Sequence, residues 1–146
     1  MGSSNSVRIV IAFAGLFCAG GAQAQTAGNW NLDWYEDRLC SISSPVEGTE
    51  TSITFWYKSG EKKFSFNGPE LFLYPQKVRF EFDTTAFVMD VPVTMGSISV
   101  EASEAFERAF ERASTLRVID SEGKTRLSVL LTKQAPRLKE MQRRCA

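Results

Sequence analysis

The 146-residue chain contains no histidine. That absence removes the side chain used most often as a general base near neutral pH, the Ser-His-Asp and Cys-His arrangements, and the commonest zinc and copper ligand. Cysteine is scarce. Cys18, Cys40 and Cys145 are widely separated, and no Cys-x-x-Cys spacing exists to lower a thiol pKa. No glycine-rich phosphate loop is present, since Ser59-Gly60 reads as a hairpin turn and Gly20-Gly21 belongs to the amino-terminal segment. Asp33, Glu36 and Asp37 lack the spacing of a calcium loop. No cofactor and no metal are therefore expected. Long apolar runs are also missing: Ile9 to Ala19 is about half the roughly 20 residues that a membrane helix needs.

That short run is instead the centre of an export signal. Arg8 precedes it, Gly20-Gly21 break it, and Ala22-Gln23-Ala24 supply the small-x-small pattern of a cleavage site. The bulky Phe17 before Cys18 does not fit a lipoprotein signal, and there is no twin arginine. Residues 1–24 are thus expected to be a signal peptide. Residues 25–146 would form one soluble periplasmic domain with no transmembrane segment after cleavage. An oxidising compartment favours pairing of Cys40 with Cys145 over a reactive thiol pair. Closing a loop of about 100 residues stabilises by up to roughly 4 to 5 kcal/mol in the chain-entropy model.

After cleavage 16 basic residues face 17 acidic ones, which recruits no nucleic acid. The distribution is uneven, because residues 25–107 hold 6 basic and 13 acidic residues, whereas residues 108–146 hold 10 and 4. The expectation is that the two halves fold against each other and neutralise one another's fields.

Most of the mature chain alternates as strands do. Trp30, Leu32 and Trp34 alternate with polar residues, Cys40 and Ile42 continue the pattern, and residues 51–66 read as a hairpin about Ser59-Gly60. An aromatic run, Leu71 to Tyr74, leads into residues 77–83, where every second position is apolar and every intervening one charged. That is the mark of an antiparallel sheet with one wet face. Short strands are expected at 86–91 and 93–100. The period then changes: Ala102, Ala105, Phe106, Ala109, Phe110 and Ala113 predict a helix over 101–114. Residues 116–119 and 127–131 form a second hairpin. Pro136 opens a final helix with Leu138, Met141 and Cys145 on one side. The fold class is α+β, mainly antiparallel sheet, sandwich-like or curved, with two helices near the carboxyl terminus.

The aromatic residues divide into core and candidate contacts. Clean alternation assigns Phe64, Phe66, Phe80 and Phe82 to the core. Trp56 lies opposite Phe55 and Tyr57 on its strand, so if those two face inward it stands on the outer face, unless the final helices cover it. Trp56, Tyr35 and Tyr74 are the candidate aromatic contacts for a sugar or a protein, and Arg137 and Arg144 the candidate basic ones. The basic final segment otherwise reads as a solvated helix face that complements the helix dipole. Glu70, Glu81, Asp83 and Asp90 are the carboxylates available for acid/base chemistry of the glycosidase kind, although nothing in the sequence pairs two of them.

Taken over nearly the whole mature length, the chain resembles small exported bacterial single-domain proteins. The likeness rests on an early tryptophan (Trp30 or Trp34), Cys40, the Val78-Phe80-Phe82 strand, the Phe106-Ala109-Phe110 helix, Leu116-Val118, Leu127-Val129 and a closing Ala135-Leu138-Cys145 helix. It is also similar to invasion-associated locus B proteins, from whose pattern it departs in lacking a second early cysteine. The resemblance implies fold and envelope location and carries no catalytic residue. The expected function is that of a non-catalytic envelope protein binding an envelope protein or other macromolecule, as an inhibitor, immunity factor or assembly accessory. A structural or stress-related component and a carboxylate-based cell-wall glycan hydrolase are the alternatives.

Overall fold

The computed structural model describes residues 24–35, 39–68, 72, 74–94 and 97–145. The expected signal lies almost wholly outside them, as do Glu70 and, within the 71–74 run, Leu71 and Leu73. Period-two alternation dominates the described chain and gives eleven strands. They are β1 (Gln25–Ala27), β2 (Asn31–Tyr35), β3 (Leu39–Pro45), β4 (Ser52–Lys58), β5 (Glu61–Asn67), β6 (Gln76–Phe82), β7 (Thr85–Val91), β8 (Val93–Thr94), β9 (Ser97–Glu101), β10 (Thr115–Ile119) and β11 (Thr125–Leu131). Two helices interrupt or follow them, α1 (Glu104–Arg112) and α2 (Gln134–Cys145). The fold is α+β, as expected.

The strands form two sheets. One has five strands in the order β1-β11-β10-β6-β7; the other has six in the order β2-β3-β4-β5-β9-β8. Among the described residues every pairing is antiparallel except β1 with β11. That parallel strand, which alternation did not reveal, begins at Gln25, the residue expected to start the mature chain. Between β4 and β5, Ser59 and Gly60 both take positive φ, 51° and 89°. This is the primed two-residue turn whose twist matches the flanking strands, and it fixes the hairpin register.

The register sends Ile53, Phe55, Tyr57, Phe64 and Phe66 inward from the six-stranded sheet, against Val78, Phe80 and Phe82 from the five-stranded one. Helix α1 adds Phe106 and Phe110. Phe64 lies within ring-contact distance of rings from both sheets and α1, including Phe106 at 5.2 Å, Phe110 at 5.4 Å, Phe82 at 5.9 Å and Phe80 at 6.4 Å between centroids. Burying side chains of this size contributes roughly 1.5–3 kcal/mol each.

Helix α1 is shorter than the 101–114 predicted. Glu101 remains in β9, paired in register with Lys63, and the Ala102 amide donates to the Lys62 carbonyl at 2.9 Å. Ser103 then caps the helix by accepting from the Phe106 amide at 3.1 Å, and Ala113 is already extended. The carbonyls freed at this end are taken by buried Gln134, whose Nε2 donates to Phe110 at 3.1 Å and Ala113 at 2.6 Å. Helix α2 is thereby joined to α1, and the Cys40–Cys145 disulfide joins it to β3, with Cα atoms 6.3 Å apart. Because β1 precedes β2, Cys40 sits on the third strand of the described chain. Among the described residues no helix is long and apolar enough to cross a membrane.

Candidate binding face

The outer face of the six-stranded sheet is built by the residues that alternate with the core set. Cross-strand register arranges them in rows: Tyr35, Leu39, Lys58 and Glu61; Asp33, Ser41, Trp56, Lys63 and Glu101; Asn31, Ser43, Thr54, Ser65 and Ser99. Trp56 stands on this face while Phe55 and Tyr57 point inward, as alternation requires. It is half-buried, because its indole leans on β5 and its Nε1 donates to the Ser65 hydroxyl at 2.9 Å. Neither helix takes part in that bond. Ser41, Thr54 and Ser65 are each more than nine-tenths buried although they face outward, since taller neighbours stand around them.

The result is a groove of about 270 Å³ lined by Leu39, Trp56, Lys58, Glu61, Lys63, Ser65, Asn67, Ser97 and Ser99. One wall is organised by the Ser97 hydroxyl donating to Asn67 Oδ1 at 2.9 Å. Lys58, Glu61 and Lys63 make no ion pair among the described residues, even though Lys58 and Glu61 are cross-strand partners. Such a surface offers one ring face, several hydroxyls, one carboxamide and three charged ends. It can stack and hydrogen-bond a polar ligand.

The five candidate contact residues are not gathered in one place. Tyr35, half exposed, shares the outer face with Trp56, one row away and beside Leu39. Arg144 lies on α2 above the exposed Trp34 ring, 4.5 Å from its centroid, and within 3.9 Å of Glu140. Arg137 pairs with Glu140 at 3.1 Å and borders a separate depression with Trp30, Asn31, Lys133 and Pro136. Tyr74 is exposed in the segment entering β6 and does not line the groove. The expected neutralisation between the two halves of the chain rests on few direct contacts. Among the described residues Arg117–Glu81 at 3.0 Å is the ion pair that joins them across the fold, and Arg108–Glu104 is a local helical pair.

One polar cluster escaped sequence reasoning. Glu107 begins the helix as a dipole-favoured acid, yet it is buried beneath α2. Its carboxylate accepts from the Tyr57 hydroxyl, from Lys62 Nζ at 2.7 Å and from Gln142 Nε2 at 3.2 Å. Burial holds this carboxyl above its ordinary range, and nearby Glu111 pushes the same way; the Gln142 hydrogen bond and Arg108 oppose. Its four residues come from β4, β5, α1 and α2, so no local spacing could have signalled it.

The carboxylates considered for acid/base chemistry have other partners. Glu81 accepts from Arg79 at 2.7 Å and Arg117 at 3.0 Å. Asp83 accepts from the Ser114 and Thr115 amides, and Asp90 pairs with Lys77 at 3.0 Å. Among the described residues no group of three or more His, Cys, Asp or Glu is placed to hold a metal ion.

No protein-family model matches this chain, and no curated protein matches it in sequence. Its fold is similar to the crystal structure of invasion associated protein B from Bartonella henselae. The TM-score is 0.61, with 84% of this chain and 97% of that chain covered at 13% sequence identity. The likeness to invasion-associated locus B proteins therefore holds at the level of the fold.

Proposed function

We propose that this chain is a non-catalytic protein of the bacterial periplasm that works by holding a macromolecular partner on the outer face of its six-stranded sheet. The observation that carries this reading is the Trp56 groove. A large aromatic is pinned at the surface by a hydrogen bond to Ser65, in a polar depression whose charged side chains have no ion-pair partners among the described residues. A half-buried, orientationally fixed indole has lost its side-chain entropy before any partner arrives, which lowers the cost of binding. The export signal, the disulfide and the fold shared with an invasion associated protein support placement in the envelope.

The test uses the immobilised mature chain exposed to solubilised envelope material. Components retained by the parent and lost with Trp56→Ala, in a variant whose melting temperature is unchanged, are the expected result. Retention that is indifferent to Trp56 but lost on Arg137→Glu with Arg144→Glu would move the contact to α2 and overturn this assignment.

A further inference from the structure

We infer that the partner held in the Trp56 groove is a cell-wall glycan strand, a linear chain of N-acetylated sugars bearing carboxylates. This rests on the binding-face reading above and names its ligand.

The groove excludes the usual ways of holding a peptide. Strands β4 and β5 are interior to the sheet, so neither offers a free backbone edge for strand addition. The lining contains one aliphatic side chain, Leu39, and one ring, Trp56, too little apolar area for a protein hot spot with its surrounding seal. Its volume of about 270 Å³ lies just below the range typical of drug-sized ligands, roughly 300–1,000 Å³. It is open on the solvent side, as a site for a segment of a longer polymer must be.

What remains matches a sugar chain group by group. The Trp56 ring supplies a face for the axial C–H bonds of a pyranose. Asn67, Glu61 and the hydroxyls of Ser97 and Ser99 supply the mixed donors and acceptors that equatorial hydroxyls and an N-acetyl amide require. Lys58 and Lys63 exceed the single carboxylate in the groove, Glu61, and offer two ammonium groups to carboxylates on the ligand. Glu101, the cross-strand partner of Lys63, does not line the groove, and no ion pair between them forms. A strand leaving past Leu39 reaches Tyr35. By strand spacing and rise the Trp56 and Tyr35 Cα atoms are ~12 Å apart, roughly two sugar rings.

The experiment measures co-sedimentation of the mature chain with purified sacculi, and binding of peptide-free glycan strands followed by fluorescence titration. The parent protein should sediment and be released by soluble glycan strands. Trp56→Ala should bind about tenfold more weakly, the loss of one stacking contact. Lys58→Glu with Lys63→Glu should abolish binding to carboxylate-bearing strands while leaving a residual response to neutral N-acetylglucosamine oligomers. Trp34→Ala, on the opposite side of β2, should bind like the parent. Each variant is checked by thermal melting, and Trp56→Phe provides a conservative partner that should retain part of the affinity. If sacculi and strands are ignored by the parent while an envelope protein is retained through Trp56, the glycan assignment falls and the binding face stands. If Trp56 affects neither, both fall.

Discussion

On the outside of the five-stranded sheet, Glu81 accepts from Arg79 and Arg117, Arg117 donates onward to Thr125, and Lys77 faces Asp90 across the β6–β7 pair. On the outside of the six-stranded sheet, Lys58, Glu61 and Lys63 stand as close in sequence and register yet form no ion pair, and serines fill the spaces between them. Both faces carry charged and polar rows and alternate with the same aromatic core, although the five-stranded one also exposes Val88 and Leu130. What distinguishes them is whether the charged groups are paired within the face. Internal pairing makes a face self-sufficient, whereas unpaired charges around a fixed ring leave capacity for a ligand.

The core common to both faces sets the largest expected effect. Phe64 lies between Lys63 and Ser65, so it is the inward counterpart of the groove, and its ring contacts both sheets' phenylalanines and α1. Phe64→Ala should cost about 3–5 kcal/mol in chemical denaturation, through lost transfer energy and the cavity left behind. Both faces should fail together in one transition. Two separated transitions would show that the sheets are energetically independent and that the faces cannot be compared as parts of one unit.

Removing the disulfide should act more selectively. Cys40 neighbours Ser41 in β3, so Cys145→Ser frees α2 from the inner side of the six-stranded sheet and leaves the five-stranded sheet without a lost contact. A loss of ~2–4 kcal/mol is expected. Hydrogen exchange should quicken in α2 and β3 before β6 and β10. Uniform acceleration would mean the bond braces the whole domain.

How far this organisation was legible in sequence depended on locality. Alternation in Lys77-Val78-Arg79-Phe80 fixes which face each residue takes, and the opposition of Trp56 to Phe55 and Tyr57 puts the indole outside once those two are known to face inward. The pairing of Cys40 with Cys145 follows from the cysteine count and the expectation of export. Strand order did not follow, because a period of two says nothing about which strands pair; β1 alongside β11 joins residues about a hundred positions apart. The same limit hid the groove, since Ser97 and Ser99 reach Trp56 only through the β5–β9 pairing. The sequence marks Arg144 as a candidate contact, but its stacking on Trp34 depends on how α2 docks.

The Glu107 cluster connects α2 to the six-stranded sheet and should make that connection sensitive to pH. Because burial raises the folded-state pKa above the unfolded value, the folded chain binds the proton more tightly. The associated stability is fully present below the unfolded carboxylate pKa and is lost as pH rises through the raised folded value. Glu107→Gln cannot ionise, so its stability relative to the parent should improve progressively as pH climbs from the ordinary carboxylate range toward neutrality. Denaturant midpoints for both proteins across that interval test it. A gap that moves the opposite way would show that the Lys62 ion pair outweighs burial.

The smallest effect is the sharpest test of the two faces. Arg117→Met removes one of two cations from Glu81, whose side chain is only 20% exposed, and also the bond to Thr125. A loss of up to ~1 kcal/mol is expected, the upper end for an exposed pair. Lys63→Met removes a cation with no ion pair among the described residues, from a strand position where the aliphatic stem can be kept by methionine. Its stability should be unchanged within about 0.5 kcal/mol, the ordinary range for a surface substitution. Measured side by side, the two variants weigh the loss of one cation on a self-paired face and on an open one. If Lys63→Met costs as much as Arg117→Met, Lys63 is already engaged within the fold, and the groove loses the unpaired charge on which its assignment as a binding face depends.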